Sequence, residues 1–126
     1  GVIRLLEPPG AIATSPFARA VQTADQLARV FGVEAPEELH AIAPDAAPAG
    51  VLPWLEARSG LELVALVGHE PHLGTLASWL LAGSRAPFLT LKKGGACLLD
   101  LGARPRAGSA RLDWMLAPAQ LRRLGR

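Results

Sequence analysis

Two stretches of the chain carry the same succession of signals: a short apolar run, a tight polar turn, then apolar residues at helical spacing. The first opens with Ala11, Ile12 and Ala13, a buried type of strand that ends at Thr14. Ser15 then predicts a helix N-cap and Pro16 the first helical position, where a missing N–H costs nothing. Phe17, Ala20, Val21, Ala24, Leu27, Ala28 and Phe31 follow at i, i+3, i+4, i+7 spacing, one apolar helix face stopped by Gly32. The second stretch repeats this order. Leu63 to Val67 is a continuous apolar run between Gly60 and Gly68, which suits a strand covered on both faces, as in a parallel sheet. Beyond the turn Gly68-His69-Glu70, Pro71 takes the helix-start position. Leu73, Leu76, Ala77, Leu80 and Leu81 then mark an apolar face that ends at Gly83.

The intervening stretch from Ala41 to Pro53, rich in alanine and proline, reads as a connector within one domain, and Val51 to Ala57 predicts a short helix. The last third changes character. Gly94-Gly95 is a turn signal, Ala96 to Leu101 a strand, Ala103 to Ser109 a loop and Leu112 to Leu116 a final strand. Two strands joined by a short loop predict antiparallel neighbours. Ala119 to Leu124 predicts a short terminal helix. The whole reads as a single α/β domain over residues 1–126, its sheet mostly parallel with an antiparallel edge.

Composition narrows the class. Half of the 126 residues are hydrophobic and 19% are charged, which excludes a disordered chain. No apolar run approaches the eighteen or so residues of a membrane-spanning helix, and the start lacks the pattern of a signal peptide. Cys97 is the single cysteine, so neither an internal disulfide nor a thiolate cluster can form. A soluble, cytoplasmic protein is expected. The formal charge of +2 owes much to Arg104, Arg106, Arg111, Arg122, Arg123 and Arg126. No aromatic residues interleave with these arginines, so they predict a solvated basic tail, with neither nucleic acid nor membrane as a partner.

In open α/β sheets, ligands bind beyond the carboxyl ends of the strands, where helix N-termini gather. Both strand–turn–helix units deliver a polar group to that edge: Arg19 in the opening turn of the first helix, and His69 in the second turn. Two converging helix N-termini form an anion site before any side chain is counted. Arg19 adds a forked donor suited to phosphate, and His69 a group able to donate a proton or a hydrogen bond.

Plainer roles stand beside these. Ser15 is read as a helix cap rather than a nucleophile, since no acid–base partner is placed beside it. Thr23, one turn from Arg19, is either a buttress or a surface threonine. Glu70 is a helix-start carboxylate or a proton donor. Lys92 and Lys93 are read as solvated turn lysines, and Trp54, Trp79 and Trp114 as packing residues. His69 and His72 invite a comparison with zinc sites, but the zinc-protease pattern needs its second histidine at position 73 and a helix free of proline. No metal is expected.

The string Thr14-Ser15-Pro16-Phe17-Ala18-Arg19-Ala20-Val21-Gln22-Thr23-Ala24 resembles the second signature of the histidine phosphatases. Leu66-Val67-Gly68-His69-Glu70-Pro71 resembles the third, and Leu91-Lys92-Lys93-Gly94-Gly95-Ala96 the segment that follows in the SixA-like branch. The resemblance spans about Ile12 to Pro118. It implies a three-layer α/β/α, phosphoglycerate mutase-like fold without large lids, and phosphoryl transfer to a histidine followed by hydrolysis. It also implies that Arg19 and His69 surround the phosphate, His69 as the second, catalytic histidine, and that no cofactor is needed; Ser15 and Glu70 are candidates for a supporting role. The expected partner is a phosphohistidine protein or a small phosphoester. A catalytically silent phosphoprotein binder and a small-molecule phosphatase of the same superfamily are the alternatives.

One departure matters. The family's nucleophilic histidine sits in an Arg-His-Gly signature, and no such triplet occurs here; His40 and His72 do not take its place by position. The chain opens at Gly1-Val2-Ile3, which aligns near the loop after the family's first helix. The first strand, the nucleophile and the first helix are therefore expected to be missing, and the chain by itself is expected to give no turnover.

Overall fold

The computed structural model describes residues 8–43, 45–84 and 86–120. In chain order the elements are β1 (Ala11–Thr14), α1 (Ala18–Phe31), β2 (Glu37–Glu38), α2 (Leu52–Ala57), β3 (Val64–Val67), α3 (His72–Ala82), β4 (Ala96–Asp100) and β5 (Arg111–Leu116). Two 3₁₀ turns, His40–Ile42 and Pro48–Val51, fill the connector before α2. Three strands form a parallel sheet in the order β2-β1-β3, and β4 and β5 form an antiparallel pair. β1 runs in register with β3 from Ala11 opposite Val64 to Thr14 opposite Val67. The antiparallel pair runs from Ala96 opposite Leu116 to Asp100 opposite Arg111, with an irregularity between Leu98 and Leu99.

The alternation of side chains along β1 and β3 explains the layers. Ala11, Ala13, Val64 and Leu66 pack into one core with Trp54 and Leu55 of α2 and Leu76 and Leu80 of α3. Ile12, Ala65 and Val67 pack into a second with Ala24, Leu27 and Ala28 of α1. The central strands are therefore covered on both faces, α1 on one side and α2 with α3 on the other, as their unbroken apolar runs predict. α1 buries only Ala20, Ala24 and Ala28, so small side chains let it lie close on the sheet. Leu76 and Leu80 of α3 are each 3% exposed, and burial of such a side chain contributes about 2 kcal/mol. Leu99 of β4 and Leu101 beyond it pack against the first core, which joins the antiparallel pair to the body of the fold.

Both long helices stop at left-handed glycines, Gly32 and Gly83. Beyond α3, the N–H groups of Gly83 and Gly108 donate to the Trp79 carbonyl at 2.8 and 3.0 Å, and that of Ala110 donates to Leu80 at 2.9 Å. The loop before β5 thus satisfies carbonyls that the helix end leaves open.

Four expectations need correction or completion. Ser15 is not the cap of α1, which begins at Ala18 after an extended Phe17 that makes no side-chain capping bond. Pro16 disfavours the helical region for Ser15, and the Ser15 N–H donates to the Val67 carbonyl at 2.9 Å. Ser15 therefore continues the β1–β3 ladder instead of starting the helix. Phe17 lies outside the helix and is 53% exposed, so it is not part of the buried face. β2 carries no apolar signal: Glu37 and Glu38 pair with Ala13 and Thr14, and their exposed charges suit a short sheet edge. The terminal helix is helical at residues 118–120, and the remainder of its predicted span lies outside the described residues, as do Arg122, Arg123 and Arg126. Trp54 is buried and Trp79 packs half-buried against the same core, while Trp114 is half-buried on β5. No helix among the described residues is long and apolar enough to cross a membrane.

Candidate functional site

At the carboxyl edge of the parallel sheet, the turns after β1 and β3 lie side by side. The bond from Ser15 N–H to Val67 holds their backbones together, and the rings of Phe17 and His69 stand 6.1 Å apart, tilted by 48°. Arg19 is the second residue of α1 and is exposed. Its carbonyl accepts the Thr23 hydroxyl at 3.0 Å, so Thr23 bonds the helix backbone and not the guanidinium. Among the described residues no carboxylate pairs with Arg19: the ion pairs are Arg58 with Glu37 and Arg111 with Asp100. A guanidinium at a helix start, without an acidic neighbour in that turn, keeps its donors for an anion.

Three buried polar atoms at this edge have no hydrogen-bond partner among the described residues: Ser15 Oγ, His69 Nε2 and His72 Nε2. Leaving such a group unpaired costs about 1–3 kcal/mol. Ser15 is fully buried and His72, first residue of α3, is 5% exposed. These unmet groups follow the ends of two parallel strands and make this edge the candidate site.

The two helix N-termini are not equivalent. That of α1 carries neither a side-chain cap nor an acidic residue in its first turn. At α3 the Glu70 carboxylate already answers the helix: its Oε1 accepts the Gly74 N–H, while Oε2 accepts the Leu91 N–H at 3.1 Å. Of the two open N-termini expected, one is therefore occupied from within the chain. Glu70 thus acts as a helix-start carboxylate. Its neighbourhood extends to β4, where burial pushes the Cys97 thiol above its usual pKa and the Glu70 charge adds to the effect.

Lys92 and Lys93 are exposed beside the Gly94 turn. A half-open hollow of about 210 Å³ lies between this segment and the end of β5, bordered by Thr90, Lys92, Met115 and Gln120. None of Ser15, Arg19 and His69 borders it, and its lining is largely apolar. The orphaned polar atoms belong to the sheet edge and not to this hollow. Among the described residues no group of three or more His, Cys, Asp or Glu side chains is placed to hold a metal ion.

Sequence reasoning missed Phe17 as a rim residue and the double engagement of Glu70. The only available signal for Glu70 was an acidic residue at a helix start; none existed for Phe17, whose spacing fits the apolar face.

Among solved structures, the chain is similar to that of the protein histidine phosphatase SixA complexed with tungstate. The TM-score is 0.71 at 24% identity, over 88% of this chain and 70% of that one. The fold is histidine phosphatase-like. No family model matches the chain. An uncharacterized protein of Picosynechococcus sp. is 40% identical over 95 residues, 73% of this chain, which spans 57% of that relative's length.

Proposed function

We propose that the chain forms the phosphate-receiving part of a histidine phosphatase of the SixA-like branch, which removes phosphate from a phosphohistidine protein or a related phosphoester. The observation that carries this reading is the meeting of the Ser15–Arg19 and Gly68–His69 segments at one sheet edge, where an arginine and several polar atoms have no partner among the described residues. Tungstate, with which the similar phosphatase is complexed, is a tetrahedral oxyanion like phosphate, and Arg19 and His69 offer donors suited to such an anion. Arg19 would grip the equatorial oxygens and so neutralise charge that develops in the transition state. His69 would donate to the phosphoryl oxygen or protonate the leaving group. No Arg-His-Gly triplet occurs in the 126 residues, so this reading assigns the attacking histidine to residues beyond them. The chain alone is then without turnover.

Exposure of Arg19 and Phe17 makes the site open, which favours a phosphate carried on a protein over a small enclosed ester. The missing triplet also favours a second reading, a silent relative that binds phosphorylated partners. One experiment separates them: phosphate release from a phosphohistidine domain by the protein that includes the residues preceding Gly1. Turnover that falls about 10²–10³-fold in Arg19→Ala and His69→Ala supports the enzyme. Binding of the phosphorylated domain without turnover supports the silent relative. Wild-type behaviour in both variants overturns the site assignment.

A further inference from the structure

Glu70 stands between the proposed site and a segment that belongs to no sheet or helix. Residues 86–93 run from the end of α3 back across its start towards the Gly94 turn. Their backbone N–H groups find partners on or beside α3. Phe88 and Leu89 donate to Ser78 Oγ at 3.1 and 3.4 Å, and Leu91 donates to Glu70 Oε2 at 3.1 Å. The Ser78 hydroxyl donates in turn to the Gly74 carbonyl at 2.7 Å. The strap lies so close to the helix that a Cβ built at Gly74 would overlap the Leu89 carbonyl oxygen and both Glu70 carboxylate oxygens. Glycine is needed there for the close approach.

Glu70 ties the start of α3 to the strap, since Oε1 takes the Gly74 N–H of α3 and Oε2 the Leu91 N–H of the strap, as Ser78 does one turn further along. It also directly follows His69 in the chain. The geometry points to Glu70 as a positioning residue: by fixing the start of α3 to the strap, it holds the His69 turn in place and sets where Lys92 and Lys93 are presented. Both oxygens are engaged by N–H groups, which argues against proton donation as its task. Charge-assisted bonds of this kind are about twice as strong as neutral ones, which suits a joint that must stay closed while a phosphate enters. The inference rests on the phosphatase reading for its consequence in rate, but not for its consequence in geometry.

The test therefore uses two readouts on the protein that includes the residues preceding Gly1. The first needs no substrate: the imidazole NMR signals of His69 in wild type, Glu70→Ala, Glu70→Gln and Ser78→Ala. They shift or broaden in Glu70→Ala, stay near wild type in Glu70→Gln, whose amide oxygen still accepts one N–H, and move least in Ser78→Ala. The second is the pH–rate profile on a phosphohistidine domain. Glu70→Ala lowers kcat roughly tenfold to a hundredfold, as a displaced catalytic group does, with both limbs of the profile kept, and Glu70→Gln recovers most of the rate. Unmoved His69 signals in Glu70→Ala overturn the positioning role whatever the activity. A Glu70→Gln variant as slow as Glu70→Ala and lacking one limb of the profile overturns it in favour of proton donation. A wild-type protein without turnover defeats the phosphatase reading alone, and the NMR comparison still decides the role of Glu70. Should Glu70→Ala fail to fold, the Glu70→Gln signals and profile decide it in the same way.

Discussion

The ring of Phe17 stands 6.1 Å from that of His69 at a tilt of 48°, and it is 53% exposed. An aromatic residue so placed, half open beside His69, is within reach of a ligand at the candidate site. Phe17→Ala is expected to change melting by no more than an exposed substitution does, within about 0.5 kcal/mol. On a phosphohistidine domain it should raise KM more than it lowers kcat, with Phe17→Leu between the two. Steady-state kinetics check this; an unchanged KM removes Phe17 from substrate contact.

Arg19 makes no ion pair among the described residues, so its removal should leave stability alone. Arg19→Lys is expected to recover little of the activity lost in Arg19→Ala, because an ammonium cannot supply the guanidinium's planar fork. Orthophosphate or tungstate titration by calorimetry provides the check. Full affinity in the lysine variant would contradict bidentate contact.

At the sheet edge, Glu37 accepts the Trp54 indole N–H at 3.1 Å and the Arg58 guanidinium at 2.6 Å, while that guanidinium lies 4.1 Å over the Trp54 ring. Glu37→Ala leaves the buried indole without an acceptor and should cost about 1–2 kcal/mol. The ion pair itself is half open to solvent and contributes less than 1 kcal/mol. Glu37→Gln, which keeps an acceptor, should therefore lose less than half as much in urea denaturation. Equal losses would move the weight to the ion pair.

Gly74 sits within α3, where alanine would ordinarily gain about 1 kcal/mol in helix propensity. The Leu89 carbonyl and the Glu70 carboxylate occupy the space of its Cβ. Gly74→Ala should be destabilising on balance, by about 1–3 kcal/mol, and should release the strap. Thermal melting together with amide exchange at Leu91 tests both parts.

Burial first, and the Glu70 charge second, raise the Cys97 pKa above its usual 9.0. A raised value means that the neutral thiol is favoured more in the folded than in the unfolded state. Its contribution to stability is thus fully present below about pH 9 and is lost as pH climbs from there through the folded value. Cys97→Ala should flatten that alkaline decline, and alkylation of native Cys97 at pH 8 should be slower than in the unfolded chain. Alkylation at equal rates would show the thiol to be open.

Much of this fold was legible in the sequence, for reasons that particular residues make plain. The unbroken apolar runs at Ala11–Ala13 and Val64–Val67 could only suit strands covered on both faces, and the glycines at 32 and 83 had to stop helices. Arg19 and His69 were legible because strand–turn–helix order carries its turn residues to one sheet edge. Tertiary structure decided the rest. Ser15 became an extension of the β1–β3 ladder because the Val67 carbonyl claimed its N–H, a partner 52 positions away. Glu37-Glu38 became a strand because β1 offered an open edge, although no apolar residue announced it. Glu70 acquired its two amides only when the strap folded back over α3. Local order along the chain determined which groups reach the edge; long-range hydrogen bonds, which no window of sequence contains, decided what each group does there.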